Sequence, residues 1–210
     1  MAAAVLWDRF DLIIFDMDGT LYDQSRLRRR MLVMLLAEIA RSRSMAVPQL
    51  LRAFRRQRER LADAMEADFA RLQYVLPGHD PERVRAIVTE WMEERPLPSL
   101  RALRTAGVAE LFTRLSGNHV LAIHSDYRAE RKLAALGLDA HLTLAAEDVG
   151  RLKPDPAGLY RLMAQARTEP ARTLMIGDRD ERDGEAARRA GVRALIRGRD
   201  FRDFTDPIFG

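Results

Sequence analysis

Cysteine is absent from the 210-residue chain. That excludes disulfides and thiolate metal sites and suits a reducing compartment. No apolar run approaches the roughly 20 residues that cross a bilayer, so no transmembrane helix is expected. The opening MAAAVLWDRF lacks the cationic head and apolar stretch of a secretory signal, and a cytoplasmic location is the expectation. Lysine is nearly missing too: Lys132 and Lys153 are the only two among 35 lysines and arginines.

What is present is an ordinary globular balance, 47% hydrophobic and 31% charged, of a length that fits one compact domain or a core with a modest insert. The net charge of +4 comes almost wholly from arginine. In stretches such as RRQRERLADAMEADFARLQ these arginines alternate with Glu and Asp. They read as solvated helix faces, and no nucleic-acid partner is expected. The densest cluster, RLRRR with Arg26, Arg29 and Arg30, has an alternative reading as a contact for an anionic substrate.

Two textures divide the chain. Leu12–Phe15 is a short continuous apolar run, suited to the centre of a parallel sheet. Residues 24–96 carry apolar residues at helical spacing, punctuated by Pro48, Pro77-Gly78 and Pro81 and closed by Pro96 and Pro98. After Leu100 helix and strand alternate: VAELFTRL, HVLAIH, RAERKLAALG, HLTLA, PAGLYRLMAQA, RTLMIG, ERDGEAARRAG and VRALI. Such alternation predicts a parallel sheet covered by helices on both faces. The first strand belongs with the late strands. The expected organisation is therefore an α/β, Rossmann-like core of residues 1–23 and 97–210, interrupted by a helical cap at 24–96. The aromatic tail FRDFTDPIFG has either the core or a partner to pack on.

In open parallel sheets, ligands collect where loops leave the carboxyl ends of strands. LIIFDMDGT ends its strand in Asp16 and Asp18, HVLAIH leads into Ser125, and RTLMIG into Asp178 and Asp183 of GDRDERD. Lys153 stands in KPDP between the last two. Four gathered carboxylates repel one another unless a cation joins them. With no cysteine and no clustered histidine, the donors favour a hard ion such as Mg²⁺ over zinc. His79, His119, His124 and His141 show no ligand spacing and read as structural residues, His124 alone lying next to a motif residue. Trp91, Met31, Met34 and Phe69 read as the apolar face of the helical region.

This set of motifs resembles the haloacid dehalogenase superfamily, mostly Mg²⁺-dependent phosphohydrolases. DMDGT matches its first motif, Ser125 its second, Lys153 its third and GDRDERD its fourth, across residues 11–23 and about 105–197. The resemblance implies that Asp16 is a nucleophile forming an aspartyl-phosphate and Asp18 the acid and base. Ser125 and Lys153 would bind phosphoryl oxygens. Asp16, the main-chain carbonyl of Asp18 and Asp178 would hold Mg²⁺, with Asp183 acting through water or by orienting Asp178. The bland alternatives are a tight aspartate turn at Gly19 and helix capping by Ser125, Asp178 and Asp183. His124 and Asp126-Tyr127 depart from the family's common residues around Ser125, a departure that bears on substrate preference.

The implied substrate is a small phosphorylated metabolite and the expected assembly a monomer or homodimer. A phosphomutase would share every core residue. A non-catalytic binding protein would have lost Asp16, Asp18 or Lys153, all of which are present. The dehalogenase branch would not need Asp18, and a phosphonate hydrolase demands a cap lysine that residues 24–96 lack.

Overall fold

The computed structural model describes residues 4–210. Its centre is a five-stranded, all-parallel sheet in the order β3-β2-β1-β4-β5. The strands are β1 (Leu12–Phe15), β2 (Val120–Ser125), β3 (Leu142–Ala145), β4 (Thr173–Gly177) and β5 (Arg193–Ile196). β1 is bonded on both edges, with Phe15 opposite Ile123 of β2 and Ile176 of β4. All four β1 residues are fully buried, which explains their unbroken apolar run.

Helices lie between the strands as the alternation predicts. Between β1 and β2 come α1 (Gln24–Ser42), α2 (Ala46–Asp63), α3 (Phe69–Leu72), α4 (Pro81–Val88), α5 (Leu97–Leu100) and α6 (Val108–Leu115). Later come α7 (Glu130–Leu136), α8 (Ala146–Val149), α9 (Ala157–Ala166) and α10 (Glu185–Ala190). Ile13 and Phe15 face one layer with Phe112 and Leu133, while Leu12 and Ile14 face the other with Leu159 and Met175. That is the period-two split of a strand buried on both sides.

The region 24–96 is helical, and its apolar residues Leu50, Phe54, Tyr74, Val84, Val88 and Trp91 form a cluster of their own. Its detail departs from the sequence pattern. The apolar spacing from Val47 to Leu76 suggests one long helix, yet α2 stops at Asp63 and the chain turns before α3. Met65 takes a left-handed φ of 48°, and the Glu66 amide donates back to Leu61 O at 2.9 Å, a helix stop normally marked by glycine. The turn lets Phe69 reach Ala146 and Leu152. Helix α4 continues into a π-helical turn, Thr89–Glu94.

The aromatic tail packs on the core. Phe201, Phe204 and Phe209 are buried in the cluster that holds Phe15, and Phe204 meets Phe15 edge-on at 6.1 Å. No helix among the described residues is long and apolar enough to cross a membrane.

Candidate active site

The carboxyl ends of β1, β2 and β4 converge because the strands are neighbours in parallel register. Beyond β1 the chain turns sharply at Gly19, which has φ of +102° and lies so close to Asp178 that a Cβ would sit 2.0 Å from its Oδ2. Only glycine meets both demands. Asp16, Asp178 and Asp183 each bring one carboxylate oxygen to within 4.8 Å of the others.

Lys153 closes this group. Its side chain is 1% exposed. Nζ donates to Asp16 Oδ1, to Asp183 Oδ1 at 2.6 Å and to the His124 carbonyl at 3.3 Å. Thr20 Oγ1 donates to the other Asp16 oxygen at 3.1 Å. Asp183 is fully engaged: besides Lys153, its Oδ2 accepts the amides of Asp178 at 3.2 Å and Arg179 at 3.1 Å. It therefore braces the loop that carries Asp178. Asp178 itself keeps a buried oxygen, Oδ1, with no hydrogen-bond partner among the described residues. An unpartnered buried carboxylate oxygen is costly.

The electrostatics match. Burial pushes the Asp16 carboxyl upward, and the negative charges of Asp183 and Asp178 add to the rise against the pull of Lys153. Asp178 is pushed up to about 6 by burial and by Asp183, partly offset by Arg179 and Lys153. Burial works against the Lys153 ammonium, yet Asp16, Asp183 and Asp126 hold it charged. Crowded acids, an orphaned oxygen and all-oxygen donors fit a hard divalent cation bound by Asp16 and Asp178.

Asp18 points elsewhere. Its carboxylate is outside the three-carboxylate group, with Oδ1 accepting from Lys132 Nζ at 2.7 Å and from the Tyr22 hydroxyl. Burial alone would raise its carboxyl, but the charge and hydrogen bond of Lys132 and the Tyr22 hydroxyl bring it below the usual range. Lys132 escaped the sequence reading although the signal was available, since it is the other of two lysines in an arginine chain.

Ser125 is buried at the end of β2, where its Oγ accepts the Tyr127 amide at 3.3 Å. It does not cap the next helix, because α7 starts only at Glu130. A second missed residue is Arg58 of α2. It is buried over the Tyr127 ring, 4.3 Å from the centroid, and donates to the Asp126 carbonyl at 2.9 Å. Glu147 of α8 makes a similar bridge, accepting from Gln73 at 2.7 Å and from Tyr74 at 2.9 Å. Both link the region 24–96 to segments that directly follow strands of the sheet, the loop after β2 and helix α8 after β3.

The remaining candidates fall outside. Arg26, Arg29 and Arg30 are exposed on α1, and Arg26 pairs with Asp23 at 3.3 Å. Other exposed arginines pair with nearby acids, as Arg41 does with Glu38 and Arg71 with Asp68. His119 Nδ1 lies 2.9 Å from Phe10 O, and His141 Nδ1 accepts the Leu121 amide at 3.0 Å. Both rings bond to the main chain, outside the three-carboxylate group. The His124 ring is buried with neither nitrogen bonded among the described residues, in space left by Gly158, where a Cβ would stand 2.2 Å from Nε2.

Comparison with known proteins agrees with this geometry. A family model for the haloacid dehalogenase-like hydrolases matches residues 10–191. The chain is 31% identical over 193 residues to the "Probable phosphatase IndB" of Dickeya dadantii, covering 88% of this chain and 79% of that protein. It is 32% identical over 120 residues to phosphoserine phosphatase of Thermus thermophilus, covering 56% of this chain and 48% of that one. The latter match thus spans about half of the Thermus protein. In three dimensions the chain resembles 2-haloacid dehalogenase from Pseudomonas syringae, with TM-score 0.63 and 24% identity over 89% of this chain and 86% of that one. It also resembles the HAD-hydrolase YfnB of Bacillus subtilis, solved with magnesium, with TM-score 0.62 and 20% identity over 90% and 88%. These structural likenesses show a shared fold. With the four motifs gathered at one end of one parallel sheet, and a family model running through nearly all of it, the chain belongs to the haloacid dehalogenase-like hydrolases and is an enzyme of that family.

Proposed function

We propose that the protein is a Mg²⁺-dependent phosphatase of small phosphate monoesters, working through an aspartyl-phosphate on Asp16. The observation that carries this reading is the buried cluster in which Asp16 is held by Lys153 and Thr20 beside the unpartnered Oδ1 of Asp178. The phosphatase names of the Dickeya and Thermus relatives support it. A dehalogenase reading leaves Asp18 and the three-carboxylate group without work, and the likeness to a solved dehalogenase is one of fold.

In the first step an Asp16 oxygen attacks phosphorus, the ester P–O bond breaks, and the leaving oxygen takes a proton from Asp18. In the second, water attacks phosphorus and gives a proton to Asp18. The bond to Asp16 then breaks and inorganic phosphate leaves. Ser125 and Lys153 supply the donors that face the transferring oxygens. Asp16, the Asp18 carbonyl and Asp178 would hold the Mg²⁺, which when bound offsets the negative charge of carboxylates and phosphate. Asp183 acts by bracing Lys153 and the Asp178 loop.

Residues 1–23 and 97–210 form the catalytic core in this reading, and residues 24–96 a cap that screens the site from water and selects the leaving group. The substrate is a small phosphorylated metabolite, the setting cytoplasmic.

The test is a panel of phosphate monoesters with Mg²⁺, run on wild type and Asp16→Asn. Phosphate release by wild type and background rates for the variant are expected. A wild type inert on the whole panel, p-nitrophenyl phosphate included, would refute the phosphatase. Full turnover by Asp16→Asn would refute the nucleophile. Phosphoryl transfer within sugar phosphates in place of release would favour the mutase.

A further inference from the structure

Lysine occurs twice in this chain, and each copy is buried against one aspartate of DMDGT: Lys153 on Asp16, Lys132 on Asp18. The mechanism above uses the first and leaves the second without a task.

Lys132 sits in the first turn of α7 with its side chain 4% exposed. Burying an ammonium is unfavourable, and a well-packed apolar residue in place of a buried ion pair is often neutral or stabilising. Stability alone therefore does not account for it. Its geometry gives a better reason. Lys132 Nζ and the Tyr22 hydroxyl both donate to Oδ1 of Asp18. Among the described residues, Oδ2 accepts no hydrogen bond. Two donors on one oxygen fix the plane of the carboxyl group and leave Oδ2 as the oxygen free to meet a substrate. Lys132 is itself steered by the Tyr127 ring, whose centroid is 5.3 Å from Nζ. Tyr127 belongs to the loop after Ser125, so both halves of the site contribute to the aim.

We propose that Lys132 is a positioning residue for Asp18, holding Oδ1 so that Oδ2 meets the leaving oxygen of esters that cannot depart without a proton. The inference rests on the phosphatase reading. The bond balance is that of the first step: Asp18, charged at rest beside Lys132, takes a proton on Oδ2 from the phosphate monoanion or from water and passes it to the ester oxygen as its bond to phosphorus breaks; the water of the second step restores it. The enzyme is thereby suited to alkyl phosphates, whose alkoxide leaving groups need protonation, more than to activated aryl phosphates.

The experiment compares Lys132→Met with wild type on two substrates, the best alkyl monoester of the panel and p-nitrophenyl phosphate. kcat/KM is the quantity to read, because it reports on the steps up to phosphoryl transfer. General acid catalysis contributes roughly 100-fold or more, so the alkyl ester should lose about that factor and p-nitrophenyl phosphate less than about 5-fold. Loss of folded protein scales both rates alike, so a fold defect cannot mimic the inequality. Should Lys132→Met not fold by circular dichroism, Lys132→Arg keeps a cation but moves its donors, and the same inequality is expected. Equal losses on the two substrates, or none, overturn the assignment of Lys132 alone. A wild type inert on both overturns the phosphatase and this inference with it.

Discussion

Arg58 of α2 donates Nη2 to the main-chain oxygen of Asp126 at 2.9 Å and stands 4.0 Å from its Oδ2. Asp126 follows Ser125 directly, so the helical region grips the loop proposed to bind phosphate. The grip is buried: Arg58 is 7% exposed, stacked on Tyr127 and bonded to Gln73. Burial works against the Asp126 charge, and Lys153, Arg58 and Arg179 together outweigh it and keep the carboxyl low.

Arg58→Ala removes one partner of this buried network. A buried pair broken from one side loses about 3 kcal/mol, which at this chain length corresponds to a Tm lower by roughly 10 °C. Differential scanning calorimetry reads the shift, and kcat/KM should fall with it as the Ser125 loop loosens. An unchanged Tm would show that the grip is not stabilising.

Metal binding gives a second prediction that needs no turnover. A ligand bound only by the folded state at 100 times its dissociation constant adds about 2.7 kcal/mol. Saturating Mg²⁺ should therefore raise the Tm of wild type by roughly 5 °C or more. Asp178→Asn, which removes a carboxylate from the three-acid group, should abolish the shift. Equal shifts in both proteins would place the ion elsewhere.

His124 provides a pH test. Burial first, and the Lys153 charge second, lower its pKa to about 3, so the ring stays neutral in the fold. Unfolded, it protonates below about 6.5. The unfolded state then binds the extra proton, so stability falls as pH drops from about 6.5 towards 3 and is level above that window. Between pH 6.5 and 4.5 the loss is about 2 kcal/mol. Urea melts at those two pH values should show wild type losing that much more than His124→Leu, which also removes two unpartnered nitrogens. Parallel losses would mean that the ring titrates normally.

The parts of this enzyme readable in the sequence are those fixed by local pattern. Leu12–Phe15 had to be a central strand because it is apolar on both faces, and the acids after it had to lie at the sheet's carboxyl end. The stop at Met65 was hidden, because no glycine or proline marks it and the helical spacing runs on through it. Arg58 and Lys132 look like ordinary helix-face charges until the fold buries them. Only the scarcity of lysine set Lys132 apart, and that clue was spent on Lys153. The tail's docking depended on which faces of Phe15 and Phe112 remained open, a property of the assembled layers.

One consequence follows from β1 lying between two partners. The Asp16 amide donates to Ile176 O at 2.8 Å, at the end of a strand whose both neighbours are themselves interior to the sheet. Such an amide should be among the slowest in the molecule to exchange its proton with solvent. The bond that anchors Asp16 to β4 should thus outlast any earlier opening of the loops around it, and hydrogen exchange at this amide should track the final loss of structure.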